Sequence, residues 1–131
     1  MGAFDMLRIA NSSLGMHQTW LDSLAHNISN ANTVTSTAED AFQGQMVVAT
    51  ARPEGGVDVS GIRLSDAEGV LTHAPDHPLA DADGMVRRPD IDMTVQMSSL
   101  IQAQRGFQAS VTVTKTAQDT YSAAIQIGQG R

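Results

Sequence analysis

Both ends of this chain are apolar at helical spacing and nearly free of charge, and that limits its fold more than any other feature. The chain holds 8 Lys/Arg and 14 Asp/Glu. Only Asp5, Arg8 and Asp22 fall in residues 1–32, and only Arg105, Lys115 and Asp119 in residues 93–127. A helix with one face in water normally carries charges on that face. These segments carry Ser, Thr, Asn, Gln, Ala and His instead, which suits helices covered on more than one side. A single chain of 131 residues cannot cover two such helices by itself, so the pattern predicts assembly rather than catalysis.

At steps of three and four, Leu7, Ala10, Leu14, His17, Leu21, Leu24, Ile28 and Ala31 form an N-terminal seam of the coiled-coil kind. Gly15 is a mild interior defect, while Asn30 and Asn32 offer left-handed positions for ending the helix. The C-terminal segment reads likewise through Met93, Met97, Leu100, Gln104, Phe107, Val111, Thr114, Gln118, Tyr121 and Ile125, with Gly106 as a second defect. Pro89 with Asp90 and Asp92 starts that helix, either acid being able to cap it, and Gly128, Gly130 and Arg131 mark its end. About 34 residues would reach roughly 50 Å.

The middle and its boundary with the C-terminal helix hold all 4 prolines. Gln45–Ala51 is β-prone, Pro53–Gly56 is a turn, and Val57–Leu64 alternates with one slip at Ser60-Gly61 that reads as a bulge. These predict a hairpin. Residues 65–89 read as loop, with one short strand near Gly84–Arg87. The expected fold is therefore mainly α with a small β element. It divides into an N-terminal helix over 1–34, a β-containing middle over 35–88 and a C-terminal helix over 89–131, the two helices pairing as a coiled coil.

Composition excludes several functions. A net charge of −6 and no basic cluster larger than Arg87-Arg88 argue against nucleic-acid binding. The absence of cysteine removes disulfides, thiol nucleophiles and zinc–thiolate sites. No cleaved signal peptide and no membrane-length apolar run is visible, so direct membrane insertion is not expected.

Candidate chemistry is thin. His17 and His26 are not spaced to share a ligand face, and His17 falls on the seam, as a packed histidine would. His73 and His77 are four apart, but Pro75 and Pro78 prevent a regular helix there, which leaves only a loop metal site with Asp76 and Asp81 as the lesser reading. Asp81-Ala82-Asp83-Gly84 has a faint calcium-loop outline but lacks the ligand spacing, and a turn with Gly84 at positive φ is the better reading. No phosphate loop and no serine-nucleophile motif is present. No catalytic, metal or cofactor-binding residue is expected, and no cofactor. Trp20, the 1 tryptophan, either packs on a neighbouring element or anchors another subunit.

Two stretches carry a resemblance. Ser12–Gly15 and Leu21–Thr33, with Ala25, Asn27, Asn30, Asn32 and Thr33 at matching positions, resemble the N-terminal signature of the bacterial flagellar axial proteins. Ile91–Met93 and Leu100–Ala109, with Asp92, Arg105 and Gln108, look like the companion C-terminal signature. The short middle and the run His77–Asp92, with Pro78, Asp81 and Gly84, are similar to the proximal rod members of that family. The departures are Met85 where relatives carry an aromatic residue, no aromatic-basic run in 33–44, and a polar C-terminus.

The resemblance implies a structural subunit of the flagellar basal-body rod, in the periplasm or cell wall, exported by the flagellar type III apparatus without a cleaved signal. Its partners would be other copies and other rod proteins. Torque would pass through helices packed by Leu7, Leu14, Leu21, Leu24 and Ile28 against Met97, Leu100, Phe107, Val111 and Tyr121. The alternative is a soluble helical adaptor or export accessory that binds one partner through its exposed seam.

Overall fold

The computed structural model describes residues 2–130; Arg131, expected to mark the end of the second helix, lies outside them. The order is α1 (Ala3–Asn30), β1 (Gln45–Ala51), β2 (Val57–Leu64), β3 (Val70–His73), β4 (Met85–Arg88) and α2 (Met93–Gln129). The two helices run antiparallel as a pair, and the four strands form two separate antiparallel sheets between them in sequence.

Asp92 starts α2: its carboxylate accepts the N–H groups of Thr94 at 2.8 Å and Val95 at 3.2 Å, two of the donors a helix start leaves unpaired. Of the two acids before the helix, it is the capping one. The end of α1 differs from the sequence expectation. Ala31 stays right-handed, at φ −60° and ψ −25°, and no non-glycine residue among those described has positive φ. Instead the Thr33 N–H bonds the Asn30 carbonyl at 3.1 Å, a tighter turn that closes the helix without a left-handed asparagine.

Three contacts fix one register along the pair. Asn27 meets Gln96, His17 meets Gly106, and Ser13 meets Ser110. Each step back along α1 is matched by an equal step forward along α2. Continued, this register brings Ala3 level with Thr120, so Tyr121–Gln129 extends past the start of α1 by about 13 Å.

The β1–β2 hairpin falls where the alternating pattern predicts it. Val48 pairs with Gly61 and Ala49 with Val59, which leaves Ser60 as the extra residue of a bulge. Its turn is tied to α1: the Arg8 guanidinium donates to the Glu54 carbonyl at 2.8 Å, and the Ser12 hydroxyl accepts the Val57 N–H at 3.1 Å.

The second sheet corrects the loop expected over 65–89, because Val70–His73 pairs with Met85–Arg88. It packs on neither helix and is held by its own polar bonds. Thr35 bridges to Arg87 through a reciprocal pair of backbone hydrogen bonds, both 2.9 Å. The Arg87 guanidinium also donates to the carbonyls of Glu68 and Thr37. Val86, in β4, is the largest fully buried side chain described.

Candidate functional site

The surface that distinguishes this chain is the helix pair. The residues α2 buries are Ala103, Ser110 and Ala117, at seven-residue intervals, with Gly106 between. All are small, which lets the helix axes come close. At Gly106 a Cβ would lie 2.2 Å from Nε2 of His17, so the imidazole ring occupies the space any other residue would need. The expected helix defect at Gly106 is thus the notch that receives His17.

Around that notch sits a small polar cluster. His17 Nδ1 lies 2.8 Å from the Ser13 carbonyl oxygen. The Ser13 and Ser110 hydroxyls are 2.9 Å apart, and Ser110 donates to the Gly106 carbonyl at 2.8 Å. Nδ1 faces the Ser13 carbonyl and lies 3.4 Å from both the Ser13 and the Ser110 hydroxyls, while Nε2 faces Gly106. The cluster satisfies polar groups within the interface, as buried polar atoms require, and positions no nucleophile.

The expected seam of large residues on α2 is turned by roughly a quarter of a helical turn from the packed one. Leu100 and Phe107 are half-buried at its flank, while Met93, Met97, Val111 and Tyr121 are exposed. Within one chain, therefore, Met97, Val111 and Tyr121 do not pack against α1. Close approach selects small side chains, and a pattern built on bulk points to the wrong stripe. On α1, Leu24 is buried and Leu7, Leu14, Leu21 and Ile28 are half-buried, with Ala10 fully covered.

Beside the notch, Met6, Ile9 and Ala10 of α1 and Ala109 and Val113 of α2 wall an apolar groove of about 530 Å³, with His17 and Gly106 at its upper end. Past it, all of residues 118–130 are exposed, among them Tyr121, Ile125 and Ile127. No helix among the described residues is long and apolar enough to cross a membrane.

The residues quoted for the family signatures have separate jobs. Asn27, 2% exposed, is a three-way clip. Its Oδ1 accepts the Gln45 N–H at 2.7 Å, and its Nδ2 donates to the Gln45 carbonyl at 2.8 Å and to Oε1 of Gln96 at 3.0 Å. It thereby joins α1, β1 and α2. Asn30 closes the helix end, its Nδ2 donating to the His26 carbonyl at 2.9 Å. Asn32, Thr33, Pro78, Arg105 and Gln108 are exposed.

Asp81 organises the turn before β4. Hydrogen bonds from the Met85 N–H, the Thr37 hydroxyl and the Asp83 N–H, each 2.9 Å, hold its carboxyl below the usual carboxylate range. Gly84 has the expected positive φ, at +72°, and a Cβ there would lie 2.9 Å from that of Pro75. His77 Nδ1 accepts the Leu79 N–H at 3.1 Å and so closes a turn. Trp20 lies in a small apolar hollow with Met16, Val47 and Ala49, between α1 and the hairpin. Sequence reasoning missed Gln96, Ser110, Thr37 and Arg87. The seven-residue spacing of Ala103, Ser110 and Ala117 was the one available signal.

Residues 82–127 match the family described as flagellar basal body rod FlgEFG protein, C-terminal. Together with the paired terminal helices, that match defines a structural rod-type protein and not an enzyme. The flagellar basal-body rod protein FlgC of Salmonella typhimurium is 31% identical over 98% of this chain and 100% of its own. FlgC of Bacillus subtilis is 25% identical, again over 98% of this chain and 100% of its own. FlgC of Agrobacterium fabrum is 26% identical over 92% and 91%. The chain belongs to the FlgC family of flagellar basal-body rod proteins.

Proposed function

We propose that this chain polymerises through its two terminal helices within the flagellar rod and carries torque from the motor toward the hook. The observation that most supports this is the uncharged stretch of α2 running past the start of α1, with Tyr121, Ile125 and Ile127 uncovered. Large apolar side chains left uncovered close together are what a contact site presents. The full-length similarity to rod proteins supplies the setting. Its partners are other copies and other rod proteins, reached through Leu7, Leu14, Leu21 and Ile28 on one helix and Met97, Leu100, Phe107, Val111 and Tyr121 on the other. The chain reaches the rod through the flagellar type III export apparatus, without a cleaved signal.

The test replaces the native gene with Leu21→Asp or Phe107→Asp and examines secretion, basal bodies and swimming. Secreted protein without completed rods is the expected result. Motile flagella in either variant would overturn the helix-mediated reading. A purified chain forming a closed dimer, together with rods that lack the protein, would favour the adaptor.

A further inference from the structure

We infer that the open edge of β3 takes up an extended segment of another protein, neutral or apolar at its centre and basic at both ends, which joins the second sheet as a further strand. This surface is separate from the helix pair and goes beyond the assembly reading above.

The ladder decides which backbone groups are free. In an antiparallel pair, residues that exchange hydrogen bonds alternate with residues whose N–H and C=O point away from the partner strand. Arg87 spends both of its main-chain groups on Thr35, on the side of β4 away from β3. Ala74 donates to the Gly84 carbonyl at 2.8 Å. Both observations put Val70 and Thr72 in the bonded positions, against Arg88 and Val86, and Leu71 and His73 in the positions between. The N–H and C=O of Leu71 and His73 therefore point to the outer edge of β3. There, among the described residues, they meet no hydrogen-bond partner. Such an unpaired row is a template for another strand.

The other strand edges are interrupted. β1 gives both main-chain groups of Gln45 to Asn27. β2 gives the Val57 N–H to Ser12 and is bent by the bulge at Ser60. The outer side of β4 is taken by Thr35. At 4 residues β3 is short, yet it has no bulge, proline or charged side chain to blunt it. Val70 and Leu71, 46% and 53% exposed, lie on opposite faces of the sheet, where a neutral or apolar centre can pack beside them.

Charge identifies the occupant. Glu68 lies in the turn before β3 and Asp76 in the turn after it, both exposed and neither ion-paired among the described residues. A second copy is therefore a poor fit. Antiparallel pairing through both outward residues sets Leu71 of one β3 against His73 of the other. That register brings Glu68 of one copy level with Asp76 of the other at both ends of the ladder, where like charges repel. A strand with Lys or Arg at each end meets the same two carboxylates with opposite charge. Its backbone supplies the ladder, and its basic ends set which strands are accepted.

The test follows backbone amide exchange by NMR in the full chain, alone and with two synthetic peptides. Both peptides have a Val-Thr-Val-Thr centre; one ends in lysines, the other in glutamates. The expected result is slower exchange at the Leu71 and His73 amides with the lysine-ended peptide only, and no change at Thr72, which is already bonded within the sheet. Leu71→Pro removes an outward N–H without touching a β3–β4 bond, and should abolish the response at His73. Glu68→Lys combined with Asp76→Lys keeps every main-chain group and should transfer the response to the glutamate-ended peptide, a readout that a misfolded sheet does not give.

Unchanged exchange at Leu71 and His73 with both peptides would overturn the proposal. An equal response to the two would overturn the basic partner. Slowing that grows with the concentration of the chain alone would overturn it in favour of a second copy. Slowing at Ile62 and Leu64 instead would overturn it in favour of the β2 edge. Each of these outcomes leaves the rod reading to the Leu21 and Phe107 variants, which test it separately.

Discussion

The two ends of the helix pair are built on opposite plans. At one end Asn27 is buried and bonded to β1 and α2 at once, so helix, strand and helix are fastened by a single side chain. At the other end α2 runs on alone, exposed and uncharged. The fastened end gains its order from polar groups that have no alternative partner. The open end keeps apolar surface in reserve. The contrast teaches that one end of the helix pair is closed by its own hydrogen bonds, while the other leaves apolar side chains uncovered.

That contrast can be broken deliberately. The largest effect should come from Gly106→Val, which drives a branched side chain into the His17 ring and costs about 3 kcal/mol by overpacking. Denaturant unfolding measures it, and adding His17→Ala should recover part of the loss. Asn27→Ala should follow at about 2 kcal/mol, because it strands the Gln45 backbone groups and the Gln96 side chain. In that variant hydrogen exchange should quicken at Gln45 first.

Gly84→Ala should cost about 1 kcal/mol, through positive φ and the contact with Pro75. The loosening should stay in residues 70–89, because the second sheet packs on neither helix. Asp81 should confer a pH dependence. Its carboxyl ionises more readily in the folded turn than in the unfolded chain, so its contribution is complete above the ordinary Asp range. It is lost as pH falls through the lowered folded value. Amide exchange at Met85 and Asp83 reports this, and Asp81→Asn should remove the dependence. The smallest effect belongs to the open end, where Ile127→Ser, at 80% exposed, should shift monomer stability by less than about 0.5 kcal/mol.

The parts legible in the sequence were those written in a strong local period. The hairpin and its bulge at Ser60 follow from two-residue alternation, and the helices from long three-four spacing. Capping chemistry narrowed the start of α2 to Asp90 or Asp92, and the structure shows that Asp92 is the cap. The packed face of α2 was not legible in the same way. Periodicity weights large apolar residues, whereas close helix contact is made by Ala103, Gly106, Ser110 and Ala117. Val70–His73 was hidden because four residues between turn signals carry too little pattern, and its pairing with Met85–Arg88 is a long-range event. Asn27 stood out in the sequence only through a family signature; its bonds to Gln45 and Gln96 depend on the folded register.

The notch at Gly106 has one more consequence. Ala103, Ser110 and Ala117 repeat every seven residues, and a repeating stripe by itself would let the helices slide by one repeat and find similar contacts again. Such a slip would set His17 against Ser99 or Val113, both of which carry a Cβ where Gly106 has none. It would also set Asn27 against Pro89 or Ala103, neither of which offers the Gln96 side-chain carbonyl. The imidazole in its slot works as a key in a keyway: it adds little area, yet it allows α2 one axial position against α1 without any covalent link.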